Sequence, residues 1–233
     1  MNNICPKYIK PFITGSWLKI IAIITMIIDH ATIAFVSRGE PMYWWLRGIG
    51  RCAFPIYCFL LVEGSLKTSN IKKYALRLLI FAAVSEIPFD LVVYKEIWYI
   101  QKQNVFFTLF FGLLMLWILE NTTNNILMLI GVFSCGFAAY FLKTDYGMWG
   151  VALILAFYVA TIFPFVGFVL FAILMFFKGG LEHWGLLSII PIVLYNGERG
   201  KQGGHILYWV YPVHLLLIYI IWCLTNGTSV FTF

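Results

Sequence analysis

The apolar stretch "IAIITMIIDHATIAFV", Ile21 to Val36, carries an acid and an imidazole side by side, Asp29 and His30. Arg51, Glu63, Glu86, Asp90 and His214 are also set in apolar runs. A charged side chain at the centre of a bilayer costs roughly 2.5–3.5 kcal/mol on insertion scales, so such residues face a cavity or one another. Imidazole is the side chain best suited to take up a proton near neutral pH. Neighbours on a helix point about 100° apart, so Asp29 does not orient His30 from the same face. One of the two is expected to face a cavity and the other to pair with a neighbouring helix. Glu86 and Asp90, four residues apart, share a helix face. Pro88 between them weakens the helix and frees backbone carbonyls. Two carboxylates that close call for a cation, which Arg51, and Arg47 one turn earlier, are expected to supply. The alternative for Arg51, Glu86 and Asp90 is a buried network that only clamps helices together.

These residues need helices to hold them. Of 233 residues, 62% are hydrophobic and 11% charged, against about a quarter charged in soluble domains. That surplus cannot fit inside one globular core, and the fold class expected is an all-α, polytopic membrane bundle of eight or nine helices. Short connections make it a single domain over residues 1–233. The spans expected are Trp17–Val36, Ile49–Ser65, Tyr74–Tyr94, Val105–Leu119 and Asn125–Leu142, then two short ones within Trp149–Phe177. A short span over Gly185–Tyr195 and a last one over Ile206–Leu224 follow. The 29-residue run Trp149–Phe177 exceeds the roughly 20 residues one crossing needs, and Pro164 and Gly167 offer a reversal.

Lysine and arginine counting sets the orientation. With a cytosolic N-terminus the inner segments hold Lys7, Lys10, Lys19, Lys67, Lys72, Lys73, Arg77, Arg199 and Lys201. The net charge of +6 is then explained by membrane topology, without nucleic acid. In that orientation Asp29, His30, Arg51, Glu86, Asp90, Gln103 and Asn104 all fall in the outer half of four consecutive helices, which predicts one shared polar cavity. The inner cluster Lys67, Lys72, Lys73 and Arg77 has two readings, contact with anionic lipid or binding of a phosphate-bearing cofactor from the cytosol. Lys19 lies eleven residues before His30 on the same stripe of the first helix and could join the cluster. The five cysteines are odd in number and lack a CxxC spacing, so they read as buried hydrophobes. No metal site is expected.

Five blocks carry a likeness: "LKIIAIITMIIDH", "GIGRCAFPIYCFLLVEG", "KKYALRLLIFAAVSEIPFD", "QNVFFTL" and "YWVYPVHLLLIY". Together they resemble the TraX family from Leu18 to Tyr219, densely in the first half and sparsely between Asn121 and Gly204. The namesake of that family is linked to N-terminal acetylation of conjugative pilin. The family also looks like a distant relative of multipass membrane acyltransferases, which pass acetyl groups from cytosolic acetyl-CoA to acceptors across the membrane.

What the resemblance implies is an acetyl-CoA-dependent acetyltransferase of the cell membrane with an amine or hydroxyl acceptor. His30 takes the role of general base in it. Arg51 and Asn104 would position the thioester carbonyl, with Asp29 as support. Glu86 and Asp90 would hold that constellation or bind the acceptor, and "YPVHLL" places Tyr211 and His214 against the substrate. Lys19, Lys67, Lys72, Lys73 and Arg77 would meet the phosphates of the donor. Direct transfer and an acetyl-histidine intermediate both stay open. So do two other functions for the same polar cluster, a proton-coupled transporter and a non-catalytic membrane component of a secretion or conjugation system.

Overall fold

A computed structural model describes residues 11–201, 204 and 206–227, with only the backbone of Ile206. Cys5, Lys7, Lys10 and His205 lie outside the described residues. Among these residues all the regular structure is helical. The order is α1 (Gly15–Phe35), α2 (Pro41–Gly50), α3 (Ala53–Lys67), α4 (Ile71–Val93), α5 (Val105–Asn121), α6 (Asn125–Phe141), α7 (Gly147–Ile162) and α8 (Pro164–Lys178). A 3₁₀ helix (Gly180–Ser188), the short α9 (Ile189–Val193) and α10 (Ile206–Asn226) complete it.

Local sequence sets the helix starts. Asn70, Asn104 and Asn124 cap α4, α5 and α6, each side-chain oxygen accepting a backbone N–H of the first turn at 2.9–3.2 Å. Pro41 and Pro164 open α2 and α8, where a missing N–H costs nothing. Pro88 and Pro212 sit inside α4 and α10, which continue through them.

The second helical run starts earlier than its apolar pattern implied. Arg51 and Cys52 keep helical dihedrals between α2 and α3, so Pro41–Lys67 forms one 27-residue rod. The pattern hides α2 because Gly48 and Gly50 are poor helix formers. Both are needed for packing: a Cβ at Gly48 would meet the indole of Trp184, and one at Gly50 the carboxylate of Asp29. The long run Trp149–Phe177 does divide, at Phe163. Gly167 is not in the reversal; it lies inside α8, where a Cβ would strike the Ala160 backbone of α7. The segment expected as a short span over Gly185–Tyr195 is the second half of the 3₁₀ helix followed by the single turn of α9.

α3 is the hub, with nine of its fifteen residues buried. It packs on α1, α5, α7 and the 3₁₀ helix, while α10 packs on α4 and α1. Among the described residues, three helices are long and apolar enough to cross a membrane: Gly15–Phe35, Pro41–Lys67 and Leu207–Asn226. Helices α5 to α8 are apolar but shorter, at 15–17 residues. Large apolar side chains still point outward from them, with Phe165 82% and Phe177 72% exposed.

The candidate active site

The polar residues expected to share one cavity fall into two separate groups. The first is built on α1. Asp29 is buried, and one of its carboxylate oxygens accepts from both Arg47 of α2 and Arg51 at the α2–α3 junction, each at 2.5 Å. Arg51 also pairs with Glu182 of the 3₁₀ helix at 3.3 Å and donates to the hydroxyl of Tyr146 at 3.1 Å. His30, also buried, turns the other way, as the 100° offset requires. Its Nδ1 lies 2.9 Å from Nε2 of His214 on α10, and His214 Nδ1 lies 2.8 Å from the carbonyl of Val210.

The second network does not involve Arg51. Asn104 donates to Glu86 through its backbone N–H at 3.1 Å and through its side-chain amide. That amide also reaches the carbonyl of Ala82 at 2.7 Å. Asp90 accepts the backbone N–H of Tyr99 at 2.8 Å. These groups fasten the start of α5 and the loop before it onto α4. The expectation that Arg51 neutralises Glu86 and Asp90 is therefore corrected: α1 claims Arg51 first, because Gly50 lets Asp29 approach the α2–α3 backbone.

A cavity of about 470 Å³ runs through the bundle. At one end it is lined by His30, Asp29, Arg51, Asp145, Tyr146 and Tyr211, at the other by Lys19, Glu63, Lys67, Arg77 and Arg199, with Tyr57 between on α3. Lys19 and His30 are eleven residues apart on α1, or about 16 Å at 1.5 Å per residue. Lys67 donates to Glu63 at 2.6 Å and to the hydroxyl of Tyr195 at 3.2 Å. Arg77 keeps a buried Nε with no hydrogen-bond partner. Glu86, Asp90, Asn104, His214, Lys72 and Lys73 are not among the lining residues. Lys72 and Lys73 are exposed, and His214 stands behind His30.

Sequence reasoning missed Asp145, Tyr146 and Glu182, which lie in the weakly patterned second half. Tyr146 has a left-handed backbone (φ 64°), rare for a residue with a Cβ. Its ring stacks on Phe54 at 3.7 Å, and Lys178 sits 4.0 Å from the ring centre. Asp145 is placed by the pairing of two loops: Gln103 N–H donates to Lys143 O at 3.0 Å and Asp145 N–H to Gln103 O at 2.8 Å. Its carboxylate meets Lys102 at 2.8 Å. Burial pushes the Asp145 carboxyl up, but Lys102, with Arg51 and Lys178, outweighs burial and holds it below the usual carboxylate range. Asp145 in turn raises the Lys102 ammonium above its ordinary value. What marks Asp145 and Tyr146 is an unusual backbone beside an acid, and a sequence does not display backbone dihedrals.

Chemically, this site offers an imidazole at the end of a tunnel whose other end is cationic. Comparison with known proteins agrees with the placement of the blocks noted above. No solved structure matches the chain. The chain is 34% identical over 229 residues to a protein of Dichelobacter nodosus, the probable fimbrial assembly protein FimC of serogroup H1, covering 86% of this chain and 92% of that one. The family model described as TraX protein matches residues 14–222, from the residue before α1 to near the end of α10, so this chain belongs to the TraX family.

Proposed function

We propose that the chain is a multi-pass membrane acetyltransferase that takes acetyl groups from cytosolic acetyl-CoA and works in the assembly of a fimbria or pilus. The observation that carries this reading is the single cavity joining Lys19, Lys67, Arg77 and Arg199 to His30. A ligand that meets both groups carries an anionic head and a reactive tail about 16 Å deeper along α1. A nucleotide-headed thioester has that form. His30 then removes a proton from an amine or hydroxyl acceptor as it attacks the thioester carbonyl. Tyr146, whose hydroxyl accepts from Arg51, keeps its own O–H free to donate to the developing oxyanion.

The outward apolar faces of α5 to α8 support the membrane arrangement. In water, patches of that size would be a liability; against lipid they are at home. With the cationic mouth facing the cytosol, the N-terminus is cytosolic and the helical runs alternate across the bilayer in eight or nine crossings. The relative's name favours a second reading, a membrane component of fimbrial assembly without catalysis of its own.

One assay separates the two. Purified protein in lipid is given acetyl-CoA labelled on the acetyl group and a panel of peptide amines and hydroxyl acceptors. The expected result is label transfer with release of CoA, reduced on the order of 10²–10⁴-fold in His30→Ala. Binding of acetyl-CoA without transfer to any acceptor would favour the non-catalytic component. Transfer that survives His30→Ala would keep the enzyme and remove His30 as its base.

A further inference from the structure

We infer that His214 is a positioning residue that decides which nitrogen of His30 holds the free lone pair. The carbonyl oxygen of Val210 can only accept, so the nitrogen 2.8 Å from it, His214 Nδ1, carries a hydrogen. A neutral imidazole has one N–H, which makes His214 Nε2 an acceptor. That nitrogen is 2.9 Å from His30 Nδ1, so His30 Nδ1 carries the hydrogen between them. The free lone pair of His30 is thereby assigned to Nε2. A second hydrogen on either ring would put another cation beside Arg51 and Arg47 in a buried site.

Two further observations agree. His30 lines the cavity while His214 does not. Nε2 of His30 is absent from the buried side-chain atoms that lack a partner, and no described residue bonds to it. The open nitrogen is therefore on the cavity side of the ring. Tyr211 holds the pair in place, its ring meeting His30 at 5.9 Å and His214 at 5.6 Å between centroids.

What the lone pair does there rests on the acetyl-transfer reading. The acceptor's nitrogen or oxygen bonds to the acyl carbon, and its proton passes to His30 Nε2. The carbon–sulfur bond then breaks, and the departing thiolate of CoA takes the proton from Nε2. Throughout, Nδ1–H stays on His214, so the imidazolium formed in transit keeps a hydrogen-bond partner for its second N–H. The inverted tautomer would present an N–H to the acceptor and block the first step.

The test reads the tautomer directly and needs no acceptor. The full chain is prepared in lipid nanodiscs with ¹⁵N-labelled histidine. Nitrogen chemical shifts separate protonated from unprotonated ring nitrogens, and the His30 pair is assigned as the signals lost in His30→Asn. The expected wild-type result is a protonated Nδ1 and an unprotonated Nε2 on His30. His214→Leu is expected to lose that preference in favour of the Nε2–H form common for imidazole in water. His214→Gln, whose Oε1 can accept where Nε2 did, is expected to keep it. A wild-type His30 protonated on Nε2 overturns the inference, and so does a His214→Leu protein that is folded by circular dichroism with the tautomer unchanged.

CoA release from acetyl-CoA supplies the second arm. His214→Leu is expected to lower kcat on the order of 10²–10⁴-fold with KM for acetyl-CoA unchanged, and His214→Gln to restore it. If the tautomer is as assigned but no variant, wild type included, transfers acetyl, the acetyl-transfer reading fails and the role of His214 stands. If transfer proceeds with the other tautomer, the reverse holds.

Discussion

One oxygen of Asp29 accepts from two guanidinium groups, and the other packs against Gly50 without a hydrogen-bond partner. Removing the charge leaves the largely buried Arg47 and Arg51 with only Glu182 and, more distantly, Asp145 to offset them. Asp29→Asn is therefore expected to destabilise the fold by about 3 kcal/mol, since breaking a buried pair from one side strands the other charge. Thermal unfolding in a fixed detergent, followed by circular dichroism, measures the loss. Half of this residue's story was legible in the sequence. Adjacency on a helix separates Asp29 from His30 whatever the fold, and it did. The choice of partner was not legible, because Arg51 had three carboxylates within plausible reach. Only the close approach at Gly50 selects among them. The same limit hid Tyr146, whose place in the site depends on a left-handed backbone. Tyr146→Phe removes its O–H while keeping the stack on Phe54. It is expected to lower kcat for acetyl transfer on the order of 10²-fold with little change in KM, as steady-state CoA release would show.

Asn70, Asn104, Asn124, Pro41 and Pro164 stand at helix starts that suit their chemistry, but the apolar pattern by itself set the second run at Ile49 and the third at Tyr74, later than the helices begin. The function of Gly167 was misplaced because a glycine near a proline looks like a turn, whereas here it serves contact between α7 and α8. Gly167→Ala is expected to force those helices apart at Ala160 and cost roughly 1–3 kcal/mol, seen as a lower Tm with no change in the tautomer of His30. Between elements, the paired loops around Gln103 and Asp145 make an acid-sensitive joint. The Asp145 carboxyl is held low by Lys102, so its ionised form adds stability above its unfolded pKa of about 3.9. That contribution disappears as pH falls through the lower folded value. Tm is expected to be insensitive to this joint above about pH 5 and to fall in more acid solution. In Asp145→Asn the neutral-pH Tm should be lower and the acid-dependent part of the fall smaller.

The two ends of the molecule differ in how their charges are matched. Around His30 the cations Arg47, Arg51, Lys102 and Lys178 each stand within 4 Å of an acid. At the opposite mouth cations outnumber carboxylates, and among the described residues Glu63 is the only acid that lines the cavity there. Lysine and arginine counting in the sequence addressed orientation only and could not sort the lysines. Lys67 and Arg77 line the cavity, while Lys72 and Lys73 belong to the exposed face of α4. Exchanging Lys67 and Arg77 for Gln is expected to raise KM for acetyl-CoA about tenfold or more with kcat nearly unchanged. The same exchange at Lys72 and Lys73 should leave KM within about twofold. The His30–His214 contact spans 184 positions of the chain, from the first described helix to the last. In a chain made from its N-terminus, α10 is the last of these helices to leave the ribosome. Until it docks, His30 lacks its partner, so the proposed base is completed only when the last of these helices is in place.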